Sequence, residues 1–159
     1  MGKPNQVVVI TGAAQRIGAE ISRTFHKQGY DIAIHYNTSE YDAKKLAQEL
    51  NNARTNSAAV FRAELGDTLE IRSMVASILA WREKIGVLIN NASSFYPSSF
   101  EGSTEQDWDI LVNSNLKGAY FLCQSIAPRL EKNGSIISIN DIYSLKPLQG
   151  YSIYCIAKA

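Results

Sequence analysis

The sequence is poor in the features that mark secreted and membrane proteins. Its 159 residues contain two cysteines and four prolines. Cys123 and Cys155 form no closely spaced pair, which argues against a disulfide framework and favours reduced thiols. No apolar run reaches the roughly 20 residues that a membrane-spanning helix needs, and none has the form of a signal-peptide core. These absences predict a cytoplasmic protein without membrane contact.

Neither sign of charge dominates the sequence. Lys and Arg number 16 and Asp and Glu number 15, which gives a formal net charge of +1. Because nucleic-acid-binding domains usually carry a clear basic excess, we predict no nucleic-acid partner. An anionic ligand would need a local site instead. The hydrophobic content of 45% is ordinary for a globular protein with a sizeable core.

Short apolar runs alternate with stretches of helical periodicity along the chain. The predicted strands are Val7–Thr11, Asp31–Tyr36, Ala58–Ala63, Val87–Asn90 and Ser135–Asn140. The predicted helices are Ile17 to the residue before Gly29, Tyr41–Asn52, Thr68–Lys84 and Thr104–Glu131. This alternation predicts an α/β fold, a Rossmann-type doubly wound parallel sheet with helices on both faces. We expect residues 1–159 to form a single domain of this type.

The first strand-to-helix turn has the composition of a phosphate-binding loop. It reads TGAAQRIG over residues 11–18. Gly12 permits a tight turn, and Gly18 lets the helix pack closely on the sheet. The N–H groups that open the helix would attract a pyrophosphate, although an ordinary strand-to-helix connection is the alternative. Arg16 adds a cation that can pair with a phosphate or with a planar, electron-rich substrate.

The segment after the second predicted strand bears on the choice of cofactor. Sites for NAD usually place an acid there to bind the ribose hydroxyls. Here the segment has no carboxylate before Glu40, so its amide and hydroxyl groups can accommodate a 2′-phosphate and Arg16 can add charge. We therefore predict NADPH as the cofactor, with contacts from Tyr36, Asn37, Thr38 and Ser39. His35, by itself, is more typical of a surface strand end than of a ligand.

A tyrosine and a lysine near the end of the sequence have the spacing of a catalytic pair. Tyr154 and Lys158 share one face if the segment is helical. A nearby ammonium favours the phenolate, which would lower the tyrosine pKa and make the phenol a proton donor near neutral pH. Such a pair alone is a frequent chance match, and Tyr151 is a competing tyrosine at a less suitable spacing. The position of the Tyr154–Lys158 pair after the fifth predicted strand favours a catalytic function.

Together, these segments resemble the short-chain dehydrogenase/reductase family and, within it, the pteridine reductases. The resemblance runs from Val7 to Ala159. It depends on TGAAQRIG at residues 11–18, NNASSFYP at residues 90–97, Asp141, and Tyr154 with Lys158. It implies NADPH-dependent reduction of a pteridine or folate substrate, without a metal site. The family is usually dimeric or tetrameric, so a homo-oligomer is expected.

The resemblance also implies roles for individual residues. Asp141 stands thirteen residues before Tyr154, where most of the family has a serine. An acid suits reduction of a C=N bond, because it can relay a proton from water, and partial burial would raise its pKa toward that role. Asn115 takes the place of the helix asparagine that helps to hold the relay water. Phe95 is the aromatic platform for a pterin.

The implied contacts with the two ligands overlap. The cofactor contacts are Gly12, Arg16, Ile17, Gly18, Tyr36, Asn37, Thr38, Ser39, Glu64, Asn91, Ala92, Ser93, Tyr154 and Lys158. The substrate contacts are Arg16, Ser93, Phe95, Asp141 and Tyr154.

An apolar stripe on the long predicted helix could pack between subunits or within the core. Its members are Leu111, Leu116, Phe121 and Leu122.

Three hypotheses about function follow from the sequence. The first is a pteridine reductase, which Arg16, Phe95 and Asp141 favour. The second is a short-chain dehydrogenase that acts on a carbonyl or an alcohol. The third is an inactive nucleotide-binding fragment, because the family fold continues beyond the catalytic lysine whereas this sequence stops one residue after Lys158. The C-terminal part of the family fold is therefore expected to be absent.

Overall fold

A parallel sheet of five strands organises residues 6–159, the part of the chain that the computed structural model describes. The strands are β1 (Val7–Ile10), β2 (Asp31–Tyr36), β3 (Ala58–Arg62), β4 (Ile85–Asn90) and β5 (Leu130–Ser138). Their spatial order is β3-β2-β1-β4-β5, and each neighbouring pair is parallel. The order reverses direction between β1 and β4, which confirms the predicted doubly wound sheet.

Helices cover both faces of this sheet. They are α1 (Arg16–Lys27), α2 (Glu40–Ala53), α3 (Thr68–Trp81), α4 (Glu105–Val112), α5 (Gly118–Ile126) and α6 (Ser152–Lys158). Alternate residues of β1 enter opposite cores, since successive side chains of a strand point to opposite faces. Val7 and Val9 pack in the core that includes α3 and α5, whereas Val8 and Ile10 pack in the core that includes α1 and α2. Burial on both faces explains the continuous apolar runs.

Helix α1 packs on the sheet mainly through small residues. Ile21 and Phe25 are partly buried against the core that includes α2, whereas Ile17, at the start of the helix, is 62% exposed. The buried residues of α1 are Gly18, Ala19, Ser22 and His26. Small side chains on this face allow the helix axis to approach the sheet closely at the turn that follows β1.

The long predicted helix Thr104–Glu131 contains a π turn in the structure. Its predicted N-cap is confirmed, because Thr104 and Asp107 form a capping box at the start of α4. A π-helical turn at Asn113–Lys117 separates α4 from α5, and a 3₁₀ turn at Ala127–Arg129 follows α5. The helical run is unbroken from residue 105 to residue 129, so the prediction of one long helix is confirmed, apart from a π turn that helical periodicity alone does not reveal. Within residues 6–159, no helix is both long and apolar enough to cross a membrane.

The apolar stripe predicted on this helix does not form one surface. Leu111 and Leu122 are completely buried, whereas Leu116 is 51% exposed. Phe121 is partly buried against the core. Leu116 lies within the π turn and is the most exposed of the four. Core packing within the chain therefore accounts for three of the four residues of the stripe.

Strand β5 begins before the predicted start at Ser135 and ends at Ser138 rather than Asn140. Leu130 pairs with Ile85, but Ser135 already pairs with Val87. Residues 131–134 therefore bulge out of the ladder opposite a single residue of β4. Asn133 and Gly134 lie inside this bulge, where the pairing between β4 and β5 is irregular.

Candidate active site

The predicted site segments meet at the carboxyl edge of the sheet. The loops that follow β1 to β4 line an open cavity of about 860 Å³, a size in the range of cofactor sites. It lies by the switch point between β1 and β4, where doubly wound sheets bind ligands. The predicted cofactor contacts that line it are Gly12, Arg16, Ile17, Gly18, Tyr36, Asn37, Thr38, Ser39, Glu64, Asn91, Ala92 and Ser93.

The turn between β1 and α1 has the close packing that a phosphate loop requires. Gly12 has φ of +58°, a left-handed conformation that glycine adopts without strain. A Cβ on Gly18 would lie 2.3 Å from the carbonyl oxygen of Gly12, so only glycine fits there. The start of α1 faces the cavity with the unpaired N–H groups of a helix N-terminus. These observations fit the pyrophosphate of a dinucleotide.

Side chains from the loop after β4 hold this turn in place. Thr11 Oγ1 accepts hydrogen bonds from the backbone N–H groups of Asn91 and Ala92, both at 2.9 Å. Asn91 Nδ2 donates to the carbonyl oxygens of Thr11 and Gly12, at 2.8 and 3.1 Å. Predicted cofactor contacts from two distant parts of the sequence therefore form one wall of the cavity.

Arg16 has a strained backbone in the same turn. Its φ is +49°, in the left-handed region that residues other than glycine rarely adopt. The family pattern usually has a glycine at this place, so the backbone keeps the glycine conformation while the side chain adds a cation. Arg16 is exposed and lines the cavity. Strain at a ligand-facing residue favours a role for the side chain in binding.

Replacing Arg16 with glycine is therefore expected to have opposite effects on folding and on binding. The free energy of unfolding should rise by about 1 kcal/mol as the left-handed strain is removed. The dissociation constant for NADPH should rise at least about tenfold, because a charged hydrogen-bond donor is lost. Denaturant unfolding and a fluorescence titration with NADPH measure the two effects.

Asn56 offers a matched control for this substitution. It also has a left-handed backbone, with φ of +55°, but it precedes β3 at the opposite edge of the sheet. Asn56→Gly should relieve similar strain and leave the NADPH dissociation constant unchanged. Equal loss of binding in both variants would show that the effect of Arg16→Gly comes from the backbone rather than from the guanidinium.

The part of the cavity at the ends of β2 and β3 contains Glu64, a predicted cofactor contact whose pairing with Asn37 the sequence did not show. Asn37 Nδ2 donates a hydrogen bond to Glu64 Oε2 at 2.5 Å, and Glu64 Oε1 accepts one from the N–H of Gly66 at 3.0 Å. The carboxylate thus lies beside the segment predicted to accommodate a 2′-phosphate. Arg16 is the one Arg or Lys among the described residues that line the cavity. This arrangement reduces the expected preference for a phosphorylated cofactor.

His35 is buried, contrary to its prediction as a surface strand end. It is 2% exposed, and its ring lies between the backbone of Gly12 and that of Ala63. The sequence could not show this, because the turn after β1 and the end of β3 cover it only in the folded chain.

Asn115 projects from the π turn into the protein interior. Its Nδ2 donates to the carbonyl oxygens of Ser94 and Leu111, both at 2.9 Å. Its Oδ1 accepts a hydrogen bond of 2.7 Å from the hydroxyl of Ser93. The side chain therefore fastens the loop after β4 to the helix layer. Its predicted role in holding a relay water stays a prediction.

Asp141, Tyr154 and Lys158 come together beside this loop. The hydroxyl of Tyr154 donates a hydrogen bond of 2.7 Å to Asp141 Oδ2. Lys158 Nζ lies 5.8 Å from the centre of the Tyr154 ring and donates to the carbonyl oxygen of Ile139 at 3.4 Å. The short helix α6 supplies the tyrosine and the lysine, and the loop that follows β5 supplies the aspartate. The three predicted catalytic side chains thus form one cluster.

The pKa values of Asp141 and Tyr154 shift in the directions opposite to those expected from the sequence. The backbone N–H of Tyr143 and the hydroxyl of Tyr154 donate to Asp141, and these bonds lower the pKa of Asp141, with a smaller contribution from Lys158. Burial, together with the hydrogen bond to Asp141 and its charge, raises the pKa of Tyr154 to about 12. Burial also lowers the pKa of Lys158, which the charge of Asp141 opposes. At neutral pH the aspartate is ionised and the phenol is protonated.

Two expectations about pKa were therefore wrong, for a common reason. Asp141 was expected to have a raised pKa, but it is half-buried and accepts hydrogen bonds that stabilise its charge. Tyr154 was expected to have a lowered pKa, but the nearby carboxylate and burial outweigh the lysine. The sequence placed these groups near each other without showing which donor faces which acceptor.

Phe95 lies at the border between the cavity and this cluster. Its ring stacks on that of Tyr151 at 4.7 Å between centroids, with the planes 13° apart. Tyr154 contacts it edge-on, at 4.8 Å and 74°. Phe95 remains 52% exposed, so a flat ligand could reach the ring although Tyr151 covers one face. The competing tyrosine of the sequence is thus part of an aromatic group.

Comparison with known proteins identifies the family. A family model described as short chain dehydrogenase matches residues 6–159. The chain belongs to the short-chain dehydrogenase family.

Within residues 6–159, no group of three or more His, Cys, Asp or Glu side chains is placed to hold a metal ion.

Curated relatives within the short-chain dehydrogenase family cover nearly all of the chain. Pteridine reductase 1 of Leishmania tarentolae is 33% identical over 192 residues, which include 96% of this chain and 66% of the relative. The 3-oxoacyl-acyl-carrier-protein reductase FabG of Staphylococcus aureus is 26% identical over 159 residues, or 99% of this chain and 64% of the relative. A short-chain type dehydrogenase/reductase of Picea abies is 27% identical over 97% of this chain and 60% of its own length. The chain thus spans slightly less than two thirds of these relatives.

Proposed function

We propose that this short-chain dehydrogenase is a reductase that converts a dihydropterin or dihydrofolate ring to the tetrahydro form with NADPH. The proposal depends mainly on the hydrogen bond between Tyr154 and Asp141, the residue at the position where most of the family has a serine. The aromatic group at Phe95 supports the same substrate class, since a flat heteroaromatic ring gains from an aromatic face. The similarity to a pteridine reductase over 96% of the chain also supports it.

In this proposal the loops at the carboxyl edge bind and orient the cofactor. The N-terminus of α1 and Arg16 receive the pyrophosphate, and the segment Tyr36–Ser39 receives the adenosine ribose. The bound nicotinamide supplies a hydride to the substrate. Ser93 lies between these contacts and the catalytic cluster, where its hydroxyl is held by Asn115.

The catalytic cluster supplies the proton that must accompany the hydride. Tyr154 is the proton donor, since its phenol stays protonated throughout the neutral range. Asp141 orients that hydroxyl and connects it to solvent, since the carboxylate is half-buried. Lys158 adds positive charge beside the phenol, which would stabilise the phenolate left after proton transfer.

NADPH is the proposed cofactor, with modest discrimination against NADH. The lack of an acid directly after β2 and the presence of Arg16 favour the 2′-phosphate. Glu64 opposes binding of the 2′-phosphate, because its carboxylate lies against Asn37.

Homo-oligomeric assembly is also proposed. It is supported by exposed apolar residues on α4, the π turn and α5, namely Trp108, Leu116 and Tyr120.

Reduction of a carbonyl is the second candidate function. The ionised state of Asp141 favours it, because protonation of a carbonyl oxygen needs only the phenol of Tyr154 and the nearby lysine. The similarity to 3-oxoacyl reductases over 99% of the chain supports it too. The two candidates differ in whether Asp141 is needed for turnover.

Oxidation of NADPH with dihydrobiopterin, compared with a 3-oxoacyl thioester, tests the proposal. Turnover of the pterin that Tyr154→Phe abolishes is the expected result. Turnover of the thioester alone would establish the carbonyl candidate instead. Failure to oxidise NADPH with either substrate, despite tight binding of the cofactor, would contradict both.

Replacing Asp141 with asparagine is expected to lower the pKa of Tyr154. The carboxylate favours the protonated phenol, so its removal should move the pKa from about 12 toward the ordinary tyrosine value. Tyrosinate absorbance measures this in a pH titration, with Tyr154→Phe variants as the background for the other tyrosines. An unchanged titration would show that burial alone raises the pKa.

A further inference from the structure

The His35 ring connects two loops of the cofactor cavity. It lies near the end of β2, and each ring nitrogen faces a backbone group from another segment. The N–H of Gly12 donates to Nδ1 at 3.1 Å, and Nε2 lies 3.0 Å from the carbonyl oxygen of Ala63. The residue is 2% exposed, so water cannot easily replace either partner.

These two partners determine the protonation of the ring. The N–H of Gly12 can only donate, so Nδ1 must carry no hydrogen. The carbonyl oxygen of Ala63 can only accept, so Nε2 must carry one. Burial favours this neutral form and lowers the pKa of His35, although the hydrogen bond to the carbonyl oxygen of Ala63 and, to a smaller extent, the charge of Glu64 oppose that shift.

The backbone of His35 fixes the next residue of the same turn. The N–H of Ala13 donates to the carbonyl oxygen of His35 at 3.0 Å. Two successive N–H groups of the turn are thus bound to one residue of β2. This leaves the later N–H groups, at the start of α1, to face the cavity. Gly12 also needs its left-handed conformation, which the bond to His35 Nδ1 helps to hold.

We propose that His35 is a positioning residue for dinucleotide binding, which holds the phosphate-binding turn through Nδ1 and anchors it to the end of β3 through Nε2. This inference depends on the proposed use of a nicotinamide cofactor by this site. The hydrogen bond to Gly12 increases the affinity for the dinucleotide, whereas the hydrogen bond to Ala63 keeps the ring in its orientation.

Two polar substitutions separate these bonds. The side-chain oxygen of asparagine can take the place of Nδ1, whereas the amide nitrogen of glutamine can take the place of Nε2. His35→Asn should keep the dissociation constant for NADPH within about twofold, and His35→Gln should raise it about five- to tenfold, as expected for loss of one neutral hydrogen bond. The kcat at saturating cofactor should stay unchanged in both variants. Equal binding by the two variants would overturn the proposal.

The ring nitrogens of the unsubstituted protein provide a second test that needs no variant. Nitrogen-15 NMR of the histidine rings should show His35 as the neutral tautomer with its hydrogen on Nε2. The opposite tautomer, or a charged ring at neutral pH, would overturn the proposal. Failure of the unsubstituted protein to bind NADPH or NADH would instead contradict the proposed function, and it would leave His35 without a cofactor to position.

Discussion

In the proposed reaction, pterin turnover should fall by about a hundredfold or more when Asp141 is replaced with serine, because proton transfer from Tyr154 contributes at least that much and needs an oriented hydroxyl. The substitution removes the acceptor that orients the hydroxyl of Tyr154 at 2.7 Å. The dissociation constant for NADPH should stay within about twofold, because Asp141 is not among the residues that line the cofactor cavity. Steady-state kinetics with dihydrobiopterin and a binding titration measure the two effects.

Asp141→Asn serves as the matched control for this prediction. It keeps the size of the side chain and one acceptor oxygen, but it removes the charge and replaces the second oxygen with an amide donor. If the charge is needed, asparagine and serine should both lose pterin turnover. If only orientation of the phenol is needed, asparagine should retain most of it. Full pterin turnover by Asp141→Ser would contradict the proposed role and return the protein to the carbonyl candidate.

Replacing Gly18 with alanine should both destabilise the fold and prevent cofactor binding. The added Cβ would lie 2.3 Å from the carbonyl oxygen of Gly12 and 2.8 Å from Cα of Ala13. These are backbone atoms, so the turn and α1 must move apart, at a cost of about 3 kcal/mol. The same movement would displace the N–H groups that face the phosphate. Denaturant unfolding and NADPH titration measure the two losses.

Gly150→Ala provides a contrasting control. Gly150 has φ of +80°, but a Cβ there would meet no atom within 4 Å. Alanine at this position should cost about 1 kcal/mol through backbone strain alone and leave NADPH binding unchanged. If Gly18→Ala cost no more than Gly150→Ala, the close contact between α1 and the turn would not be what the glycine provides.

Local sequence patterns determined the order and type of most elements. Apolar runs bounded by turn residues located all five strands, and the signal is continuous in β1, β2 and β4, which are buried on both faces. The capping residue Thr104 was identified from its side chain alone. The tight turn between β1 and α1 was identified for the same reason, since Gly12 and Gly18 favour the conformation and the close packing that it requires.

Features that depend on distant segments were decided by the tertiary structure. The π turn that directs Asn115 inward has no local signature in a continuous helical pattern. Glu64 approaches Asn37 from 27 residues away, and His35 meets Gly12 from 23 residues away. These pairs form only because the parallel sheet brings the carboxyl ends of its strands to one edge.

The sequence by itself therefore determined the fold class, which follows from local periodicity and residue type, whereas the resemblance to a known family supplied the residues predicted for the candidate site. Only the tertiary structure decided the direction of the pKa shifts of Asp141 and Tyr154, which was opposite to the expectation. A pKa depends on burial and on the donors and charges that surround the group, and these come from separate segments of the chain. The direction of a hydrogen bond, unlike a motif, exists only in the folded protein.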